Sequence, residues 1–335
     1  MTPLTFLIAA GYASVTATAR VLERRAPPGI PSYVLDYAPL VYLHSADQYM
    51  PSDIGAQVAN TQPEVNFEVV AGAPNPLTLD NLDQLNALGG KNVYLTSKVD
   101  ITTNPAWLNG ARPDSTGKIS GATPCVVIVN DKGSGNVDAF YMYFWANNWG
   151  GEVLGKNLGN HVGDFEHNMI RFENGVPKAI WYSQHGNGQA FKYSTVKKSG
   201  LRPLVYVSKG SHALYATTGK HDHTIPNLNL PFGLLVDHTD AGIKWDPLLS
   251  TWYYTYDGAS STFTARSEGV PTGWLYFEGR WGDQEYPESD PRQKKFFGVP
   301  KYSSGPTGPK DKQLNREKVC PDNGQLCIVR NILVP

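Results

Sequence analysis

Residues 159–188 read GNHVGDFEHNMIRFENGVPKAIWYSQHGNG. Two runs inside this stretch are strand-like, Asn168–Phe172 and Ala179–Tyr182. Glu173-Asn174-Gly175 lies between Met169–Phe172 and Ala179–Ser183 as the turn of a hairpin, because Asn and Gly tolerate the positive φ that tight hairpin turns demand. A second turn signal, His185-Gly186-Asn187-Gly188, closes the stretch. Outward from it the same alternation of short apolar runs and Gly/Pro/Asn/Asp turns recurs. Further runs are Tyr33–Leu35, Val41–Leu43, Val93–Leu95, Val126–Val129, Asp138–Trp145, Leu204–Val207, Trp252–Tyr256 and Trp274–Phe277. A helix is expected only at Asp80–Leu88, where Leu82, Leu85 and Leu88 recur every third residue. Ten or more short strands with few helices predict an all-β fold, a β-sandwich with long loops. The polar stretch 301–318 reads as an exposed connection.

Composition agrees. Among 335 residues only 18% are charged, while Gly (33), Pro (25), Tyr (18) and Trp (8) are abundant, which suits strands and turns better than helices. Net charge is −1 and no basic patch stands out, so nucleic acid is not an expected partner. Residues 4–19 are uncharged and apolar and end in Ala17-Thr18-Ala19, the pattern of a cleaved secretory signal over 1–19. The run is too short for a spanning helix of about 20 residues, so no transmembrane anchor is expected. Arg24-Arg25 marks a dibasic processing site that ends a short pro-segment, 20–25, and leaves one domain over 26–335. The expected location is extracellular, with the vacuolar lumen as the alternative. Cys320 and Cys327 are expected to form a disulfide in that setting, and Cys125, before the apolar run Val126–Val129, is expected to be a buried free thiol.

The chemistry is concentrated in Gly159–His167. Asp164 and Glu166 are two apart and share one face of an extended chain. Two adjacent carboxylates repel and resist burial, and a divalent cation removes both problems. Oxygen ligands suit Ca²⁺, Mg²⁺ or Mn²⁺; the imidazole of His161, three residues before Asp164 across the flexible Gly163, shifts the preference towards Mn²⁺ or Zn²⁺. His161, Asp164 and Glu166 are therefore the expected metal ligands. A solvated strand end is the bland alternative.

Several blocks carry a family resemblance. Tyr37-Ala38-Pro39-Leu40-Val41-Tyr42-Leu43-His44, Tyr49–Asp53, HVGDFEH at 161–167, SQHGNG at 183–188, SKGSHA at 208–213, Gly242–Asp246 and Gly279-Arg280-Trp281-Gly282-Asp283 resemble the fungal vacuolar protein sorting-associated protein 62 family, in its order and over nearly the whole mature chain. Phe165 stands where that family usually has Trp. More distantly, Asp164-Phe165-Glu166 resembles the D-W-E of the necrosis-inducing cytolysins, whose G-H-R-H-D-W-E heptapeptide binds a divalent ion on a β-sandwich. That resemblance implies His161 as the first His and a further upstream ligand, for which Glu152, Asn147 and Asn148 all remain open. Gly163 departs from the second His.

Beyond the ligands, Glu166, His185 and His212 are the candidate catalytic residues. An imidazole titrates near neutral pH, and both histidines have small neighbours that would let a ring face a site. Each also reads as a histidine bonded to backbone. His221-Asp222-His223, placed in a polar loop, is a weaker metal candidate, and Asp246 and Asp283 read as structural. Tyr141, Tyr143 and Trp145 alternate as a core face would, whereas Trp149, beside Gly150-Gly151, is the best exposed ring for stacking on a sugar. Three functions follow: a metal-dependent hydrolase or lyase on an extracellular or cell-wall polymer; a non-catalytic module that grips a glycan or lipid headgroup through its ion; and a luminal vacuolar sorting factor. Whether the chain is an enzyme stays open.

Overall fold

The hairpin read from Glu173-Asn174-Gly175 lies at the centre of the fold. In the computed structural model, which describes residues 26–225, 228–230, 235–296 and 298–333, Asn174 and Gly175 take φ of 51° and 76°. Both angles are those of a two-residue turn whose twist matches its strands. The leader and pro-segment expected over 1–25 lie outside the described residues. Among the described residues no helix is long and apolar enough to cross a membrane.

In chain order, β1 (Leu40–Leu43) belongs to a smaller sheet, and β2 (Cys125–Asp131), β3 (Asn136–Asn148), β4 (His161–Glu173), β5 (Val176–Gln184) and β6 (Asn187–Lys192) form an antiparallel meander. β7 (Arg202–Val207) and β8 (Leu214–Tyr215) return to the smaller sheet, and β9 (Gly219–Ile225) pairs with β10 (Val236–Thr239). β11 (Ile243–Trp245) re-enters the smaller sheet, while β12 (Thr251–Asp257), β13 (Thr262–Ala265) and β14 (Val329–Arg330) complete the larger one. The larger sheet runs β13-β12-β2-β3-β4-β5-β6-β14, with β12 parallel to β2 and β14 parallel to β6. In the smaller sheet β1 lies between β7, parallel to it, and β11, antiparallel.

The larger sheet is buried on both faces, which explains why β2 and β3 read as unbroken apolar runs. Tyr141, Tyr143 and Trp145 of β3, with Ile170 and Phe172 of β4, face the smaller sheet's Val41, Leu43, Val205 and Val207. Phe140, Met142 and Phe144, with Phe165 and Met169, face the other way, onto Leu82, Leu85, Trp274, Trp281 and Leu314. The alternation expected of Tyr141, Tyr143 and Trp145 is thus core packing. The outcome is the expected all-β sandwich, carrying an extra outer layer of loops and 3₁₀ turns.

Some local readings differ. Tyr33–Leu35 falls in a short α-helix, Ser32–Asp36, entered from Pro31, and Trp274–Phe277 falls in a 3₁₀ turn, Gly273–Tyr276. A run of three or four apolar residues fixes no period, so tertiary packing decides. The expected helix at Asp80–Leu88 is a 3₁₀ segment, Leu82–Ala87. The stretch 301–318 is not simply exposed, because Leu314 and Arg316 are buried. The Arg316 guanidinium lies over the Phe140 ring at 4.8 Å and donates to His167 Nε2 at 2.8 Å. Cys320 and Cys327 are joined, and Cys125 is buried and free, its thiol pushed up to about 12 by burial.

Candidate functional site

β3 and β4 pair in one register from Asn136↔Glu173 to Trp145↔Asp164 and again at Asn147↔Val162 and Asn148↔His161. Alternation puts Asp164 and Glu166 on the face that, further along β4, presents Ile170 and Phe172 to the smaller sheet. Both carboxylates are buried, at 6% and 5% exposure. Gly163 has φ +69°, and a Cβ there would lie 2.0 Å from the Trp281 carbonyl oxygen; a Cβ on Gly282 would lie 1.9 Å from that of Val162. The HVGDFEH and GRWGD blocks therefore touch backbone to backbone, and each needs its glycine. The left-handed turn at Gly163 also breaks strand alternation, so that the half-buried His161 ring comes under the charge of Asp164.

The His161 ring is held by one hydrogen bond, Nδ1–H to the Gly163 carbonyl at 2.7 Å. That bond fixes the tautomer with the lone pair on Nε2, as a ligating histidine requires. Burial lowers its pKa against the opposing pull of Asp164, which keeps the ring neutral.

Where the β4–β5 ladder ends at Asn168↔Tyr182, a side chain takes over. The Ser183 hydroxyl accepts from the His167 N–H at 2.7 Å and donates to Glu166 Oε2. Glu166 Oε1 accepts the His185 N–H at 3.1 Å. Burial first, and the Asp164 charge second, push the Glu166 carboxyl up to about 7.

His185 and His212 both stand in the left-handed region, each at φ +56°. Non-glycine residues in that region cost free energy and cluster at functional sites. His185 Nε2–H donates to Asp237 Oδ2 at 3.1 Å. Asp237 is held in turn by Ser211 Oγ (2.6 Å, to Oδ1) and the Tyr215 hydroxyl (2.7 Å, to Oδ2). Burial would lower the His185 pKa, but the charge and hydrogen bond of Asp237, with Glu166 and Asp164 behind them, raise it to about 9. His212 is fully buried and stacked flat on Trp145, with ring centres 4.5 Å apart. Its Nδ1–H donates to Asp164 Oδ2 at 3.1 Å, and Nε2 faces Asp47 Oδ2 at 3.8 Å.

His161, Asp164, Glu166, His185 and His212 lie within electrostatic reach of one another. Among the described residues, however, no three His, Cys, Asp or Glu side chains form a set that could hold a metal ion as they stand. Both Glu166 oxygens and Asp164 Oδ2 are engaged by donors. Asp164 Oδ1 and His161 Nε2 are not engaged among the described residues.

The upstream candidates divide. Asn148 Nδ2 donates to the Gly159 carbonyl at 3.1 Å, Asn147 is buried, and Glu152 lies in an exposed two-residue strand beside the cleft described below. His221 lies on strand β9 rather than in a loop, stacked on Tyr215 at 3.8 Å with Nε2 on Thr239 Oγ1 at 2.9 Å. The His223 side chain lies outside the described residues. Asp246 pairs with Arg202 through both oxygens, and Asp283 accepts from Ser97 N and the Tyr286 hydroxyl; both are structural, as read. Sequence reasoning missed Ser183, Ser211, Tyr215, Asp237 and Asp47, and no spacing in the chain points to them.

Beside this pocket, Trp149 and Lys209 stand between two cavities. One, of about 250 Å³, is bounded by Asp47, Gln48 and Tyr49; the other, of about 210 Å³, by Glu152, Asp237 and His238.

The family described as vacuolar protein sorting-associated protein 62 matches residues 152–290. A Saccharomyces cerevisiae protein, putative vacuolar protein sorting-associated protein TDA6, is 39% identical over 326 residues, covering 88% of this chain and 69% of its own length. The yeast vacuolar protein sorting-associated protein 62 is 35% identical over 334 residues, covering 91% and 70%. Among solved structures, necrosis and ethylene inducing protein 2, from the causal agent of cocoa's witches' broom disease, aligns at 14% identity over 58% of this chain and 71% of that one, with a TM-score of 0.29.

Proposed function

This chain belongs to the vacuolar protein sorting-associated protein 62 family, and on that footing we propose that it is a luminal recognition module of the vacuolar route, one that grips an oxygen-rich ligand through a divalent cation in its acidic pocket. The observation that carries this reading is the burial of Asp164 and Glu166 side by side, with Glu166 pushed up to about 7. Two such carboxylates cost stability unless a cation joins them. His161 fits the role, its Nδ1 bonded to backbone and Nε2 available; Asp164 fits through Oδ1; Glu166 fits through the remaining lone pairs of oxygens already oriented by Ser183 and His185. A bound Ca²⁺, Mg²⁺, Mn²⁺ or Zn²⁺ would neutralise the pair and leave coordination positions for ligand oxygens. His212 orients Asp164, and Asp237 orients His185.

The same contacts favour binding over turnover. His185 Nε2–H is committed to Asp237 and its backbone N–H to Glu166, which ties ring and carboxylate into one hydrogen-bonded set. Both Glu166 oxygens already accept hydrogen bonds, one from the Ser183 hydroxyl and one from the His185 N–H. A hydrolase or lyase on these residues would need one of those contacts to open. Routing into the lumen agrees with the leader read over 1–19, the dibasic site at Arg24-Arg25 and the disulfide.

Thermal melting with and without chelator, across the four ions, tests the site. A hundredfold excess of free ion over its dissociation constant is expected to stabilise the protein by about 2.7 kcal/mol. Asp164→Asn should lose that gain and stay folded. Equal melting of chelated and ion-loaded wild type, with no metal by elemental analysis, would refute the reading.

A further inference from the structure

Trp149 follows directly on β3, and its position is fixed by a bare backbone. Its N–H donates to the Gly210 carbonyl at 2.9 Å, and a Cβ on Gly210 would lie 2.7 Å from the indole Cε3. Gly210 takes φ +76°, so the lack of a side chain serves both the backbone angle and the seat of the ring. The half-buried indole thus stands as a fixed partition with a cavity on each side, and Lys209 borders both.

We propose that this partition is a saccharide-binding subsite, taking a neutral pyranose against the Trp149 ring. The inference rests on the recognition role proposed above and names its ligand class. A flat ring accepts the C–H face of a sugar, and planar polar groups at its rim accept and donate to ring hydroxyls. The rim supplies those groups. The Asp47 carboxylate is fixed by the Tyr49 and Gly210 N–H groups at 3.0 and 2.8 Å, and Gln48 and Lys209 add donors on the same side. On the other side lie Glu152 and Asp237. Asp237 is paired with His185 and Asp47 is held by two backbone N–H groups, which leaves Glu152 and Lys209 as the opposed open charges of a nearly neutral rim, where a neutral polyol meets both donors and acceptors. Asp237 is also the partner of His185, whose N–H lies on Glu166, which sets the subsite against the acidic pocket.

The chemistry is that of a hexopyranose, carried either on a soluble glycan or on a glycolipid. Full-length processed protein is titrated with neutral hexose oligosaccharides, with vesicles carrying a neutral glycolipid, and with vesicles carrying anionic phospholipid, each with calcium and with EDTA. Saturable binding to either sugar source supports the subsite, provided that Trp149→Ala weakens it at least tenfold and Trp149→Phe retains it within about threefold. The first two arms separate the sources. Undiminished sugar binding by Trp149→Ala, or binding to anionic phospholipid alone, overturns the proposal. Sugar binding that survives EDTA and depends on Trp149 supports the subsite and fails the metal reading. Ion-dependent melting that persists in Trp149→Ala, in a protein that binds no sugar, leaves the metal reading standing and overturns the subsite.

Discussion

His221 is neutral in the folded protein because burial lowers its pKa to about 4, against the opposing charge of Asp237. In the unfolded chain an imidazole titrates near 6.5. Between those values the unfolded chain binds the extra proton, so the stability that His221 contributes above pH 6.5 is lost as the pH falls towards 4. At 1.36 kcal/mol per pKa unit the loss is about 3 kcal/mol. His221→Phe keeps a ring against Tyr215 and removes the titration. Urea unfolding at pH 7 and pH 4 is expected to show the wild type losing its advantage over this variant by up to that amount; parallel pH profiles for the two proteins would count against it. At this scale the sequence was legible where a local rule applies. Asp164 and Glu166 share a face because strands alternate, and His185 and His212 were marked by flanking glycines and small residues. Asp237 and Tyr215 carried no such mark: their roles arise only where β10 and β8 meet the turn after β5, some 30 to 50 residues from His185 in the chain.

Among elements, the meeting of β4 with the 281–282 segment is the least forgiving contact near the site. Gly163→Ala adds a Cβ 2.0 Å from a carbonyl oxygen at positive φ, whereas Gly72→Ala meets nothing within 4 Å at a similar φ of +76°. The left-handed angle alone costs about 1–2 kcal/mol. Gly72→Ala is expected to lose that much in a denaturation experiment. Gly163→Ala should lose clearly more and also lose ion-dependent stabilisation, because His161 reaches the pocket through that turn; equal losses for the two would remove the close approach as the reason for the glycine. The β4–β5 hairpin was readable because Asn-Gly announces its turn. The parallel pairings β1–β7 and β2–β12 were not, since each joins segments more than a hundred residues apart and no local signal fixes their register.

For the whole molecule, protein recovered from the vacuolar lumen or the culture medium is expected to begin near Ala26 and to retain the Cys320–Cys327 bridge in peptide maps made without reductant. A chain still carrying Met1, or free thiols at both positions, would contradict luminal routing. The order of the larger sheet has a consequence for biogenesis. The meander β2–β6 is complete by Lys192, yet its flanks are sealed only by β12, from Thr251, and β14, at Val329–Arg330. While the chain is still emerging, β2 and β6 each present unpaired backbone groups, the kind of edge on which chains aggregate. Sealing of the larger sheet therefore waits on residues 329–330, and a chain truncated before residue 251 would leave both edges open at once, a natural substrate for chaperones and quality-control proteolysis.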